Sequence, residues 1–195
     1  MSSMHLKPSD LYSLEQYSKL RNDMRSKVIE HKKNRTVHIG PNATWIFEDR
    51  LTIQYQIQEM LRAERIFEAQ GIQDELDAYN PLIPDGTNWK ATFMIEFLDA
   101  ELRRQALIQF KDIEHRCWVQ IEGFDRVFAI ADEDMERSDE EKTSAVHFLR
   151  FELTADMQKA TKAGASVGLG IDHQSYSHSV IASAAVQASL ATDLL

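Results

Sequence analysis

Histidine and carboxylate side chains are the groups in this sequence suited to hold a metal ion or to move a proton. Their spacing decides how far that chemistry is open to them. The seven histidines are His5, His31, His38, His115, His147, His173 and His178. None forms H-x-H, H-x-x-x-H or H-E-x-x-H, the spacings that set two imidazoles side by side. Asp112-Ile113-Glu114-His115 is the nearest approach to the Glu-x-x-His pair of di-iron helices, and it stands alone. His38 and His147 fall in expected strands, and His173 ends another. A site would need these elements to converge, with Glu48 or Glu59 supplying a carboxylate. No pair has chelate spacing, so the expectation is no tight transition-metal site and no bound cofactor.

Other motifs narrow the reactions further. Gly164-Ala165-Ser166-Val167-Gly168 matches the G-x-S-x-G string of a nucleophile elbow, which needs a strand before the serine and a helix after it. Here a helix comes first and a strand second, so the string reads as a helix stop. Cys117 is the one cysteine. It lies beside His115 and Arg116, which favour a thiolate, yet its place at a strand start before Trp118 points to a buried structural thiol. No phosphate loop and no strand–Gly-x-Gly-x-x-Gly–helix unit is present. The run Arg25, Lys27, His31, Lys32, Lys33, Arg35 is a basic cluster that reads as a solvated helix end.

The densest polar stretch is Glu48 to Glu68, expected as one long helix with Asp49 as its cap. Residues three or four apart share a face, so Tyr55, Gln58, Glu59 and Arg62 form one polar ridge on it. Glu59 and Arg62 are expected to be more buried than surface charges usually are, and paired or hydrogen-bonded, since Ile57, Met60, Leu61 and Ile66 leave little of the circumference for solvent.

The elements that must position these groups alternate without a regular βαβ rhythm. A helix is expected over Leu11 to Lys32, with Ser9 and Asp10 as caps. TVHIG and ATWIFE form a hairpin across Gly40-Pro41-Asn42. Gly71 is expected to interrupt the long helix, and Asn80 to Asn88 is a fixed loop. One antiparallel sheet is expected to hold Ala91–Phe97, Thr143–Leu153 and Ala165–Ile171, with CWVQIEGFDRVFAIA as a second hairpin. Residues 1–10 read as a flexible lead-in and 132–142 as a mobile acidic loop. A helix over Thr154 to Gly164 is followed by a strand whose small face carries Ser166, Gly168 and Gly170. The tail from Ser177 to Leu194 reads as helical and able to cover that face. The class is α+β, a single domain over residues 1–195.

Composition sets the outer limits. The 195 residues carry a net charge of -9, which argues against nucleic acid, because phosphate contacts need a basic surface. No run approaches the roughly 18 apolar residues of a membrane span, and one cysteine fits a reducing cytoplasm.

Several segments together resemble one family of bacterial proteins. They are VHIGPNATWIFEDR, YQIQEMLRAERI, ELDAYNPLIPDG, KTSAVHFLRFEL and VGLGIDHQSY, and they resemble domain of unknown function 3501. The resemblance covers nearly the whole chain from about Leu11. It implies a setting beside rubrerythrin and an iron–sulfur oxidoreductase, hence non-haem iron and peroxide redox chemistry. It implies no catalytic residue. The expected function is a non-enzymatic accessory protein that binds such a partner. The alternative is a small metal- or ligand-binding enzyme, with a site drawn from His38, Glu48, Tyr55, Glu59, Arg62, His147, Arg150 and His173.

Overall fold

The computed structural model describes residues 4–139 and 141–195. Of the lead-in expected to be flexible, residues 1–3 lie outside the described residues. Leu6 is buried, and its backbone exchanges two hydrogen bonds with the Asn80 amide. Pro8–Asp10 make a 3-10 turn, so Ser9 and Asp10 are not the cap of the first helix. That helix, α1, is Leu14–Lys32, and Ser13 and Gln16 cap it reciprocally.

Strands β1 (Thr36–His38) and β2 (Ala43–Phe47) form the expected hairpin. The stretch from Glu48 to Glu68 is not one helix. Helix α2 is Arg50–Ala63, capped by the Asp49 carboxylate, and α3 is Ala69–Tyr79. The break falls at Arg65, whose φ of 57° turns the chain so that Ile66 N donates to Leu61 O. Gly71, expected as the breaker, lies inside α3. A Cβ there would stand 2.6 Å from Ile66 Cγ2, so the glycine lets α3 close over the turn it follows.

The other elements are β3 (Asn88–Ile95), α4 (Ala100–Gln109), β4 (Cys117–Ile121), β5 (Val127–Phe128) and β6 (Ile130–Ala131). They continue with β7 (Val146–Glu152), α5 (Ala155–Lys162), β8 (Val167–His173), β9 (Tyr176–Ile181) and α6 (Ala184–Ala191). The tail is therefore a strand and then a helix, not a helix throughout.

The fold is α+β, but the strands make two antiparallel sheets where one was expected. One runs β1-β2-β3-β7-β6 and the other β5-β4-β8-β9, so the segment 165–171 belongs with β4 and not with β3 and β7. The two sheets share one core. Trp45, Phe47, Trp89, Phe93, Leu149 and Phe151 from the first meet Val119, Ile121, Leu169 and Ile171 from the second, with Val186 and Leu190 of α6 closing one end. Trp118, on the opposite face of β4, fills the glycine face of β8, where the tail helix was expected. A Cβ on Gly170 would stand 2.3 Å from its ring. A second, smaller core joins Ile53, Ile57 and Leu61 of α2 to Leu6, Leu76 and Ile83. Among the described residues, no helix is long and apolar enough to cross a membrane.

Candidate functional site

Strand β7 alternates between two environments, as a pleated strand must. His147, Leu149 and Phe151 are buried toward the shared core, while Phe148 and Arg150 face the other way. Register extends both faces across the sheet: Phe93 pairs with His147, Thr92 with Phe148, and Lys90 with Arg150. One short strand thus supplies an open cleft and a buried polar network behind it.

The cleft has a volume of about 550 Å3. Its apolar lining comes from Phe148 of β7, Met60 of α2, and Tyr79 and Leu82 from the end of α3 onward. Charged groups line the rest, and most are held by neighbours. Arg150 takes Glu133 in a two-pronged contact at 2.8 and 2.9 Å and reaches Glu152 at 2.6 Å. Lys90 Nζ donates to Pro81 O at 2.6 Å, and burial lowers its pKa. The Arg137 guanidinium lies 4.6 Å from the centre of the Phe148 ring and pairs with Asp134. Glu75 differs: burial, then the charges of Glu64 and Asp74, push its carboxyl up.

Behind the cleft, His147 is fully buried. Its Nδ1 is 2.6 Å from Asp132 Oδ2, and its Nε2 is 2.9 Å from Thr143 Oγ1 and 3.1 Å from Ser144 O. Asp132 Oδ1 accepts from Phe148 N and lies 3.2 Å from Arg137 Nε. Burial drives the Asp132 carboxyl up. The His147 and Phe148 hydrogen bonds, with the Arg137 guanidinium nearby, more than offset this and leave it lowered. Glu114, also buried, accepts from Ser138 at 2.6 Å and from Thr143 at 3.2 Å. The order hydroxyl, imidazole, carboxylate matches a nucleophilic triad. Thr143, however, is 1% exposed and its hydroxyl is enclosed by Ser138 and Glu114, so no substrate carbonyl can reach it. The arrangement can hold a proton or a cation.

The structure divides the residues singled out from the sequence. His147 and Arg150 fall on β7, at the network and the cleft. Glu59 binds Arg21 and Tyr17 of α1, and Arg62, 45% exposed, reaches it only at 3.8 Å. Tyr55 lies near that pair. Glu48 ties Thr52 of α2 to Thr92 of β3. His38 bonds Thr44. His173 bonds Lys111 O and Ser175 N on the other sheet. The eight residues therefore do not form one site. Cys117 is buried, and burial followed by the Glu114 charge raises its pKa, so it is no ready nucleophile. Arg35 of the basic run is fully buried instead of solvated.

Sequence reasoning missed Glu114, Asp132, Arg137 and Thr143. Two sat in the segment read as a mobile acidic loop, 132–142. There Asp132, Arg137 and Ser138 are tied into the network. The clue was Asp112-Ile113-Glu114-His115, whose metal-like spacing carries little weight because it stands alone.

Residues 5–194 match the family described as "Protein of unknown function (DUF3501)". The chain belongs to this family. The chain is similar to the crystal structure of a novel protein of unknown function from Burkholderia pseudomallei. It is 49% identical, with a TM-score of 0.94, over 98% of this chain and 100% of that one. No curated protein matches this DUF3501 chain.

Proposed function

We propose that this chain is a non-enzymatic accessory protein that docks a partner in its cleft. The setting is the cytoplasmic non-haem iron and peroxide chemistry that the family resemblance implies, with rubrerythrin or an iron–sulfur oxidoreductase as the partner class. The observation that supports this reading is the state of the cleft's charges. Arg150, Lys90 and Arg137 are each occupied by a protein acceptor at 2.5 to 2.8 Å, around an apolar floor. Cations fixed in this way orient a visitor and exclude wrong ones. A second reading, a small metal- or ligand-binding enzyme, draws on the His147 network alone.

The test is affinity purification of the full chain from native lysate, run beside Met60→Asp, which puts a charge on the cleft floor. The expected result is an iron protein retained by the parent and lost by a variant that melts like the parent. Retention of the same proteins by both, or of none by the parent, would overturn the docking reading.

A further inference from the structure

Around His147 the oxygen atoms outnumber the protons that a neutral ring can offer. Asp132 Oδ2, at 2.6 Å, is an acceptor and takes the Nδ1 proton. In the neutral ring Nε2 then carries a lone pair, yet it faces the Ser144 carbonyl oxygen, also an acceptor, at 3.1 Å. The Thr143 hydroxyl can donate to that lone pair at 2.9 Å, but the Ser144 carbonyl then still faces it, and a cation shared by these donors removes the clash. The other atoms there are Thr143 Oγ1 at 2.9 Å and Glu114 Oε2 at 3.8 Å from Nε2. Ligand bonds of roughly 2.1 Å at tetrahedral or octahedral angles space neighbouring donors roughly 3.0 to 3.5 Å apart. The first two distances are close to that range, and a small carboxylate rotation brings in the third.

We propose that His147 Nε2 and Glu114 hold a divalent first-row cation, with Thr143 Oγ1 and Ser144 O completing its protein donors. One imidazole with oxygen donors suits zinc, manganese or ferrous iron. Asp132 is the positioning residue. Both its oxygens are engaged, Oδ2 by His147 and Oδ1 by Phe148 N, so it fixes the ring's tautomer without binding the ion itself. Ser138 does the same for Glu114 through Oε1. A side cavity of about 220 Å3, lined by Glu114, Asp132, Glu136, Arg137 and Ser138, adjoins the network. This site uses none of the α2 residues and does not depend on the docking reading.

The test is chelator-stripped, tag-free full-length protein titrated with Zn2+ and with Mn2+, reading bound metal by elemental analysis and melting temperature. The expected result is one equivalent per chain, with a melting temperature that rises with metal concentration. Glu114→Gln and His147→Gln, which keep the shape of the donors, should lose that equivalent. Asp132→Asn should weaken binding by roughly 10–100-fold. The surface variant His5→Gln should bind as the parent does. A folded parent that takes up neither metal, so that Nε2 holds a second proton, would overturn the proposal. So would metal retained at full affinity by both Glu114→Gln and His147→Gln.

Discussion

Glu59 shows how a single carboxylate can hold two helices together. Tyr17 Oη donates to Glu59 Oε1 at 2.6 Å, and Arg21 takes both carboxylate oxygens at 2.7 and 2.9 Å. The Arg21 hydrogen bond, opposed by burial and reinforced by Tyr17, brings the Glu59 carboxyl down to about 2. A lowered acid contributes stability that is fully present above its unfolded value of roughly 4.3. That stability is lost as the pH falls through about 2. Glu59→Gln should therefore destabilise the protein by roughly 2 kcal/mol near neutrality, the worth of hydrogen bonds to a charged group. The gap to the parent should narrow steadily as the pH is lowered from 5 toward 2. Urea unfolding of both proteins across that range checks it, and a gap that does not change with pH would show that the carboxylate's charge is not what matters.

The turn between α2 and α3 is the element-scale feature most open to a test. Arg65 sits at a φ of 57°, where a side chain costs roughly 1–2 kcal/mol. Glycine removes that cost but gains freedom in the unfolded chain worth roughly 0.5–1 kcal/mol. Arg65→Gly should thus stabilise by roughly 0.5–1 kcal/mol and raise the melting temperature by roughly 1–4 °C. A lower melting temperature would mean that the Arg65 side chain makes a contact worth more than its strain. The same turn shows what could be read from the sequence at this scale. Asp49 announced the start of α2, because a cap is a local signal. The end of α2 carried no glycine, and the helix pattern of Ile57, Leu61 and Ile66 ran straight through it. Gly71, the obvious breaker, answers to a contact with Ile66 instead. Strands were legible from their alternation, but alternation gives faces and not partners. The assignment of β8 to β4 rests on long-range register, Leu169 against Val119, that no local pattern encodes. The candidate site failed for the same reason. His147 was legible as a strand histidine, whereas Glu114 and Asp132 reach it from 33 and 15 positions away by chain folding alone.

At the scale of the whole molecule, Arg35 joins parts of the chain that sequence places farthest apart. It is fully buried, and its guanidinium donates to Phe47 O, Glu48 O, Ser189 Oγ and Asp193 Oδ2. One side chain therefore fixes the β1–β2 hairpin, the entry to α2 and the tail beyond α6. Burial pushes the Asp193 carboxyl up to about 6, against the pull of Arg35. A raised acid has the opposite pH sense to Glu59. Its contribution is greatest below its unfolded value of roughly 3.9 and is lost as the pH rises through about 6. Arg35→Met leaves that carboxylate buried without its partner and should cost roughly 3–5 kcal/mol at pH 7. The orphaned carboxyl can take a proton, so the deficit should shrink between pH 7 and pH 5. Because the two sheets share one core, the variant should still unfold in a single step. Trp45 and Trp89 report on the first sheet and Trp118 on the second, so tryptophan fluorescence and far-ultraviolet circular dichroism should give coincident transitions. Separate transitions would mean that Arg35 holds together two parts that are stable on their own. A deficit that grew toward pH 5 would mean that Asp193 is not the group it leaves unpaired.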